Sequence, residues 1–139
     1  MHIKTNIRKF LIFWELPQLV LGYLFYLFLR KRITAVKKFN GFNAYFVKGF
    51  PGGISLSIFI FLNEADLKDI SAIKHEYGHS LQSIYLGWFY LIIVGIPSLM
   101  RSLIWNIFKL ENTRYYDGYP EKWADNLGKD YDISHHIKS

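Results

Sequence analysis

The 139-residue chain has no cysteine, which excludes a disulfide scaffold, a thiolate metal site and a cysteine nucleophile. Charge is scarce as well. Only 20% of residues are charged while 51% are hydrophobic and 19% aromatic, a balance that excludes a disordered tail or a solvating linker. Acidic residues are nearly missing from the first third, where residues 1–48 hold nine Lys/Arg against one Glu. The remainder is close to balanced, so the basic character belongs to one end and is not a field around the whole molecule. There is no internal repeat or low-complexity segment, and the length suits one domain with a modest core.

What the chain does have is apolar runs. Phe10 to Leu29 is a 20-residue stretch with Glu15 as its single formal charge. As a helix it would cover roughly the 30 Å of a bilayer core. Lys4, Arg8 and Lys9 precede it, and Arg30, Lys31, Arg32, Lys37 and Lys38 follow. Basic clusters hugging an apolar segment suit lipid headgroups, whereas a nucleic-acid surface interleaves its cations with exposed polar and aromatic residues. A membrane helix over 10–29 is therefore expected, kinked by Glu15 and Pro17, with membrane lipid as a partner and no nucleic acid. No small-x-small site follows the run, which argues against a cleaved signal peptide. The larger cationic cluster after it places the 30–48 side in the cytoplasm.

A second run, Ser80 to Met100, carries no charge, and apolar character resumes to Phe108 after Arg101. Gly95-Ile96-Pro97 interrupts it, so residues 84–108 read as one bent apolar helix or a re-entrant hairpin. Between the runs, 43–48 and 54–61 are rich in β-branched and aromatic residues and are separated by Gly49, Pro51, Gly52 and Gly53. This reads as a β-hairpin over 43–61. Asn63 and Asp66 offer N-caps for a helix over 66–83, and Pro120 and Gly128 bracket a short helix over 120–127. A polar tail, 129–139, closes the chain.

His75-Glu76-Tyr77-Gly78-His79 is an H-E-x-x-H sequence inside the expected 66–83 helix. Residues four apart share a helical face, so both imidazoles can reach one metal ion. Glu76 lies beside them and can hold a water on that ion and take its proton as it attacks a carbonyl. Random order of this composition gives the pattern only about 0.006 times, so chance is a poor explanation. A catalytic zinc site needs a third protein ligand. Gln82 and Tyr85 stand where the metzincin pattern has Gly and His, which excludes that family. Glu121 and Asp125, four apart, supply one candidate pair: Glu121 as ligand, Asp125 accepting the free N–H of a zinc-bound His. Asp117, followed by Gly118, is the alternative third ligand.

These residues resemble a family. H-E-x-x-H with a later E-x-x-x-D is the gluzincin pattern of thermolysin-like zinc peptidases. The segments HEYGHSLQSIYLGWFYLIIVGIPSL and YYDGYPEKWADNLG are similar to small bacterial membrane-associated proteins regarded as metalloproteases. The resemblance spans about Gly52 to Gly128. It implies a zinc metalloendopeptidase of the bacterial inner membrane acting on a peptide or protein substrate. Zn2+ would be held by His75, His79 and Glu121, with Glu76 as general base and Asp125 behind the ligands. It also implies that a strand before the active-site helix pairs with extended substrate, which here corresponds to Ile54, Ser55, Leu56, Ser57 and Ile58. The oxyanion donor stays open among Arg114, Tyr115, Tyr116, Tyr119, His135 and His136.

The expected fold class is α+β, mostly helical. It is a minimal zincin-like core, with the β-hairpin, the active-site helix and the short ligand helix, carrying membrane-associated apolar helices. The contrasting function is a non-catalytic membrane protein, an immunity or assembly factor, in which zinc only staples two helices. Glu76 discriminates, because a structural site has no use for a free carboxylate beside the ion. Zinc geometry also constrains topology. His75 and His79 precede the 84–108 run and Glu121 follows it. A single crossing would part them by some 30 Å, against zinc–ligand bonds of about 2 Å. The run must turn back, lie along the interface or pack beside the site.

Overall fold

In the computed structural model, which describes residues 9–108 and 121–129, the first apolar run is not one helix. Residues 9–14 are helical, the chain turns at Glu15, and helix α1 restarts over Leu16–Leu29. Pro17 sits in its first turn, where no backbone donor is needed. The break has a reason: Glu15 is drawn into the protein, where its carboxylate accepts from Ser83 Oγ at 2.6 Å. Burial lifts its pKa, and hydrogen bonds from Ser83 and Ser57 offset part of that rise. Gln18 adds to the same junction, donating to the Gly87 carbonyl at 2.7 Å and to Ser83 Oγ at 3.0 Å. At 14 residues, α1 is about 21 Å long. No helix of the described residues is long and apolar enough to cross a membrane, and the expected kink in the 10–29 run falls at Glu15.

The sheet also differs from expectation. Strands β1 (Ile33–Phe39), β2 (Phe42–Val47), β3 (Gly53–Leu56) and β4 (Phe59–Asn63) lie in the order β1-β2-β4-β3. Asn40 and Gly41, both left-handed at φ 48° and 82°, make the two-residue turn that joins β1 to β2. Ser57 and Ile58 make a second tight turn, splitting the expected 54–61 strand into β3 and β4. The expected hairpin over 43–61 is thus replaced by two hairpins, joined through a parallel β2–β4 pairing that sets Ala44 opposite Ile60.

Side chains alternate faces along these strands. Phe42, Ala44 and Phe46 of β2 and Ile60 and Leu62 of β4 pack on Ile73 and Tyr77 of helix α2 (Ile70–Leu86). Val47, Phe59 and Phe61 face the other way, onto Leu29 and Phe25 of α1. The sheet therefore lies between α1 and α2. Along the edge strand β3, the same period turns Gly53 and Ser55 towards α2 and leaves Ile54 packed on the α1 side.

Asp69 caps α2, accepting from the Ala72 N–H at 3.1 Å, while Asn63 caps the short 3-10 turn Glu64–Lys68. The helix expected over 66–83 is thus shifted by a few residues, with Asp69 in place of Asp66 as its cap. After α2 the chain passes through a 3-10 turn (Gly87–Phe89) and a π-turn (Leu91–Gly95) into α3 (Ile96–Phe108), with Pro97 in its first turn. Helix α4 (Glu121–Lys129) crosses α2 closely. A Cβ on Gly78 would fall 1.8 Å from the Ala124 carbonyl oxygen, and one on Gly128 would fall 2.0 Å from that of Lys74. Only glycine at both positions permits that approach. The α+β, mostly helical class holds.

Candidate metal centre

His75 and His79 lie one turn apart on α2, their rings perpendicular with centroids 4.8 Å apart. The close crossing of α4 sets Glu121 against both. Its Oε2 lies 2.8 Å from His75 Nε2 and 3.0 Å from His79 Nε2. The other ring nitrogens are also engaged. His75 Nδ1 donates to Asp125 Oδ1 at 2.7 Å, and His79 Nδ1 donates to Gln82 Oε1 at 2.7 Å. Each ring is thus fixed with Nε2 facing Glu121. Ser98, at the start of α3, donates to the remaining oxygen of Glu121. All three candidate ligands are buried, with Glu121 only 1% exposed.

Opposite charges inside this cluster support one another. Burial works against protonation of His75, but hydrogen bonds to Glu121 and Asp125 and the charges of Glu76 and Glu121 outweigh it, raising the imidazole to about 9. Burial likewise works against ionising Glu121. Hydrogen bonds from His75, His79 and Ser98, with the charge of His79, reverse that and hold the carboxyl far below its ordinary value.

The donor set suits a divalent cation. One atom from each of His75, His79 and Glu121 lies within 4.8 Å of the others, and two imidazoles with a carboxylate match a zinc site that keeps a fourth position open. Tetrahedral bonds of about 2.0–2.2 Å would set ligand atoms about 3.4 Å apart. The two Glu121–imidazole spacings, 2.8 and 3.0 Å, would widen by a few tenths of an ångström, while the imidazole nitrogens stay within the 4.8 Å that bounds the group. A buried His75, His79, Glu121 group can therefore hold a metal ion.

Glu76 stands apart from these contacts. Ser55 Oγ lies 2.7 Å from both its carbonyl oxygen and its Oε2, so one hydroxyl fixes the residue from the edge strand. A Cβ on Gly53 would meet Glu76 Oε1 at 2.2 Å, so the strand must be bare there. Tyr90 donates to the Ser55 carbonyl at 2.9 Å, and its burial, with the charges of Glu76, Glu121 and Glu15, keeps the phenol protonated well above its usual range.

Two hollows meet at Gly52, Gly53, His75 and Glu76. One, of about 470 Å³, is polar and includes Asp66, Asp69 and Asp125. The other, of about 850 Å³, runs between α1 and α3 and is mainly apolar. The 84–108 segment thus packs beside the centre, one of the arrangements that a shared ion allows.

The structure brings together His75, Glu76, His79, Glu121 and Asp125. Of the five strand residues expected to meet substrate, Ile54, Ser55 and Leu56 line the cleft, whereas Ser57 and Ile58 form the β3–β4 turn. Asp117 and the six oxyanion candidates lie outside the described residues. Sequence reasoning missed Gln82, Ser98, Gly53 and Tyr90. Gln82 alone left a signal, standing three residues beyond His79 on the same helix. No family model, no curated protein and no solved structure matches the chain.

Proposed function

We propose that this chain is a minimal, gluzincin-type zinc metalloendopeptidase. The observation that carries the reading is Glu76. It is a buried carboxylate adjacent to the three-ligand group, hydrogen-bonded by a serine of an edge strand in the middle of a continuous cleft. A structural staple would leave that carboxylate without a role.

His75, His79 and Glu121 would hold the ion, which when bound supplies Lewis acidity towards water and the scissile carbonyl. Asp125 and Gln82 hold each imidazole in one tautomer, with Nε2 aimed at the centre. Glu76 accepts the proton of the attacking water and returns it to the departing amine. Ser55 holds one carboxylate oxygen, leaving Oε1 towards the cleft. Strand β3 offers its outer edge to an extended peptide backbone, and the bare Gly53 lets that backbone approach Glu76.

Metal analysis and cleavage of a quenched fluorescent peptide library test the proposal. The wild type is expected to carry about one zinc per chain and His75→Ala and Glu121→Ala to lose it, whereas Asp117→Asn keeps it. Glu76→Gln should retain zinc and lose hydrolysis, since an amide cannot accept the proton. Full activity of Glu76→Gln, or of zinc-stripped wild type, would overturn the assignment. Loss of zinc in Asp117→Asn alone would move the third ligand to Asp117.

A further inference from the structure

The larger hollow has walls that are also surface. Leu21 of α1 and Leu99 and Leu103 of α3 line it, yet they are 37%, 55% and 50% exposed. They continue into a broader apolar face on the same two elements and the π-turn. Phe28, Ile92 and Ile107 there are 82%, 65% and 71% exposed. Contiguous apolar surface of this kind marks an interaction site, not ordinary solvent-facing residues.

Charge indicates the occupant. The helical run formed by residues 9–14 and α1 is bracketed by exposed Lys9 at its start and exposed Arg30 and Lys31 at its end. The single acid between them, Glu15, is buried and points inward to Ser83. An apolar helix face with cations at both ends and no outward anion complements an anionic lipid surface. One face of α1 packs on the sheet through Phe25 and Leu29, so its exposed face lies along such a layer and does not thread it.

We infer that the α1–α3 face seats in the interfacial layer of an anionic membrane and that the cleft opens through this face. The metal centre then receives apolar, extended segments from the lipid side, and its polar hollow at Asp66 and Asp69 faces water. Delivery of a substrate rests on the peptidase reading; the orientation does not.

The absence of native cysteine makes the test clean. Full-length Leu99→Cys and Lys68→Cys proteins, each carrying a bimane label, are diluted from detergent into vesicles of 4:1 phosphatidylcholine:phosphatidylglycerol with brominated chains. The label at 99 should be quenched and that at 68 should not. Binding should fall by about fivefold for each cation removed in Arg30→Gln and Lys31→Gln, and should fall likewise on pure phosphatidylcholine.

Ser102, which lines the cleft, reports its mouth. Ser102→Cys should become at least tenfold slower towards a charged, water-soluble maleimide once vesicles bind, while Lys68→Cys keeps its rate. Equal quenching at both positions, no quenching at 99, or an unchanged Ser102→Cys rate overturns the inference. So does a soluble dimer that buries the label at 99. None of these readings requires cleavage or zinc, so a protein that holds no zinc but docks as described would fail the peptidase proposal alone.

Discussion

Replacing Gly78 by alanine should abolish the metal centre without touching a ligand. The added Cβ would lie 1.8 Å from the Ala124 carbonyl oxygen, whereas ordinary contact begins at 3.4 Å. A close-packed backbone crossing cannot absorb that overlap by rotamer change, so α4 must retreat by roughly 1.5 Å. Metal–ligand bonds tolerate only about 0.2 Å. Glu121, three residues before Ala124 on the same helix, would then be out of reach of an ion held by His75 and His79. Overpacking costs about 1–3 kcal/mol, and the better helix propensity of alanine returns about 1 kcal/mol, so the fold should survive. Zinc affinity should fall by at least about 100-fold, the upper end of what losing an outer partner of a ligand costs. Competition with a chromophoric chelator measures this, with thermal unfolding run alongside. Gly95→Ala is the control, because its nearest contact would be an ordinary 3.6 Å. If Gly78→Ala binds zinc within threefold of wild type, this crossing does not position Glu121.

Asp125→Ala and Gln82→Ala should each weaken zinc binding by about 10–100-fold by freeing an imidazole to rotate, and affinities within twofold of wild type would refute that role. Zinc must displace a proton from His75, whose pKa is raised from 6.5 to about 9, so apparent affinity should climb by up to about tenfold per pH unit across that window and flatten above it. In zinc-stripped protein the sign is opposite: a raised folded-state pKa contributes stability that is full below pH 6.5 and lost as pH passes about 9. Chelator titration and thermal unfolding across pH 6–10 check both halves, and pH-independent curves would contradict them.

Local chemistry was legible where spacing along one helix decides it. His75 and His79, and Glu121 and Asp125, each lie four apart, so their convergence needed only the right helices. What joined those helices was not legible. Gly128 reads as the end of a helix over 120–127 and Gly78 as an unassigned position of H-E-x-x-H, until the crossing, with Gly128 inside α4, shows why neither can bear a side chain. Strand β1 was hidden by its own charges, because Lys37 and Lys38 read as headgroup contacts, although Asn40-Gly41 is a strong hairpin signal. The parallel β2–β4 pairing joins residues that sequence pattern places equally well in an antiparallel hairpin. Glu15 in an apolar run signals a kink, but its partner, Ser83, is 68 residues away and leaves no such signal.

That partnership has a consequence for how the cleft keeps its shape. Against lipid chains, a leucine on α1 gains little by choosing protein over solvent, because both are hydrocarbon and the hydrophobic effect does not discriminate between them. Apolar packing alone would let α1 slide, rotate or drift away from the ligand helix in such surroundings. Hydrogen bonds do discriminate, since a carboxyl or amide left in hydrocarbon has no other partner. Glu15 and Gln18, meeting Ser83 and Gly87, form a polar rivet that lipid cannot compete for. One wall of the cleft is thereby tied to the C-terminal half of the helix that carries both histidines.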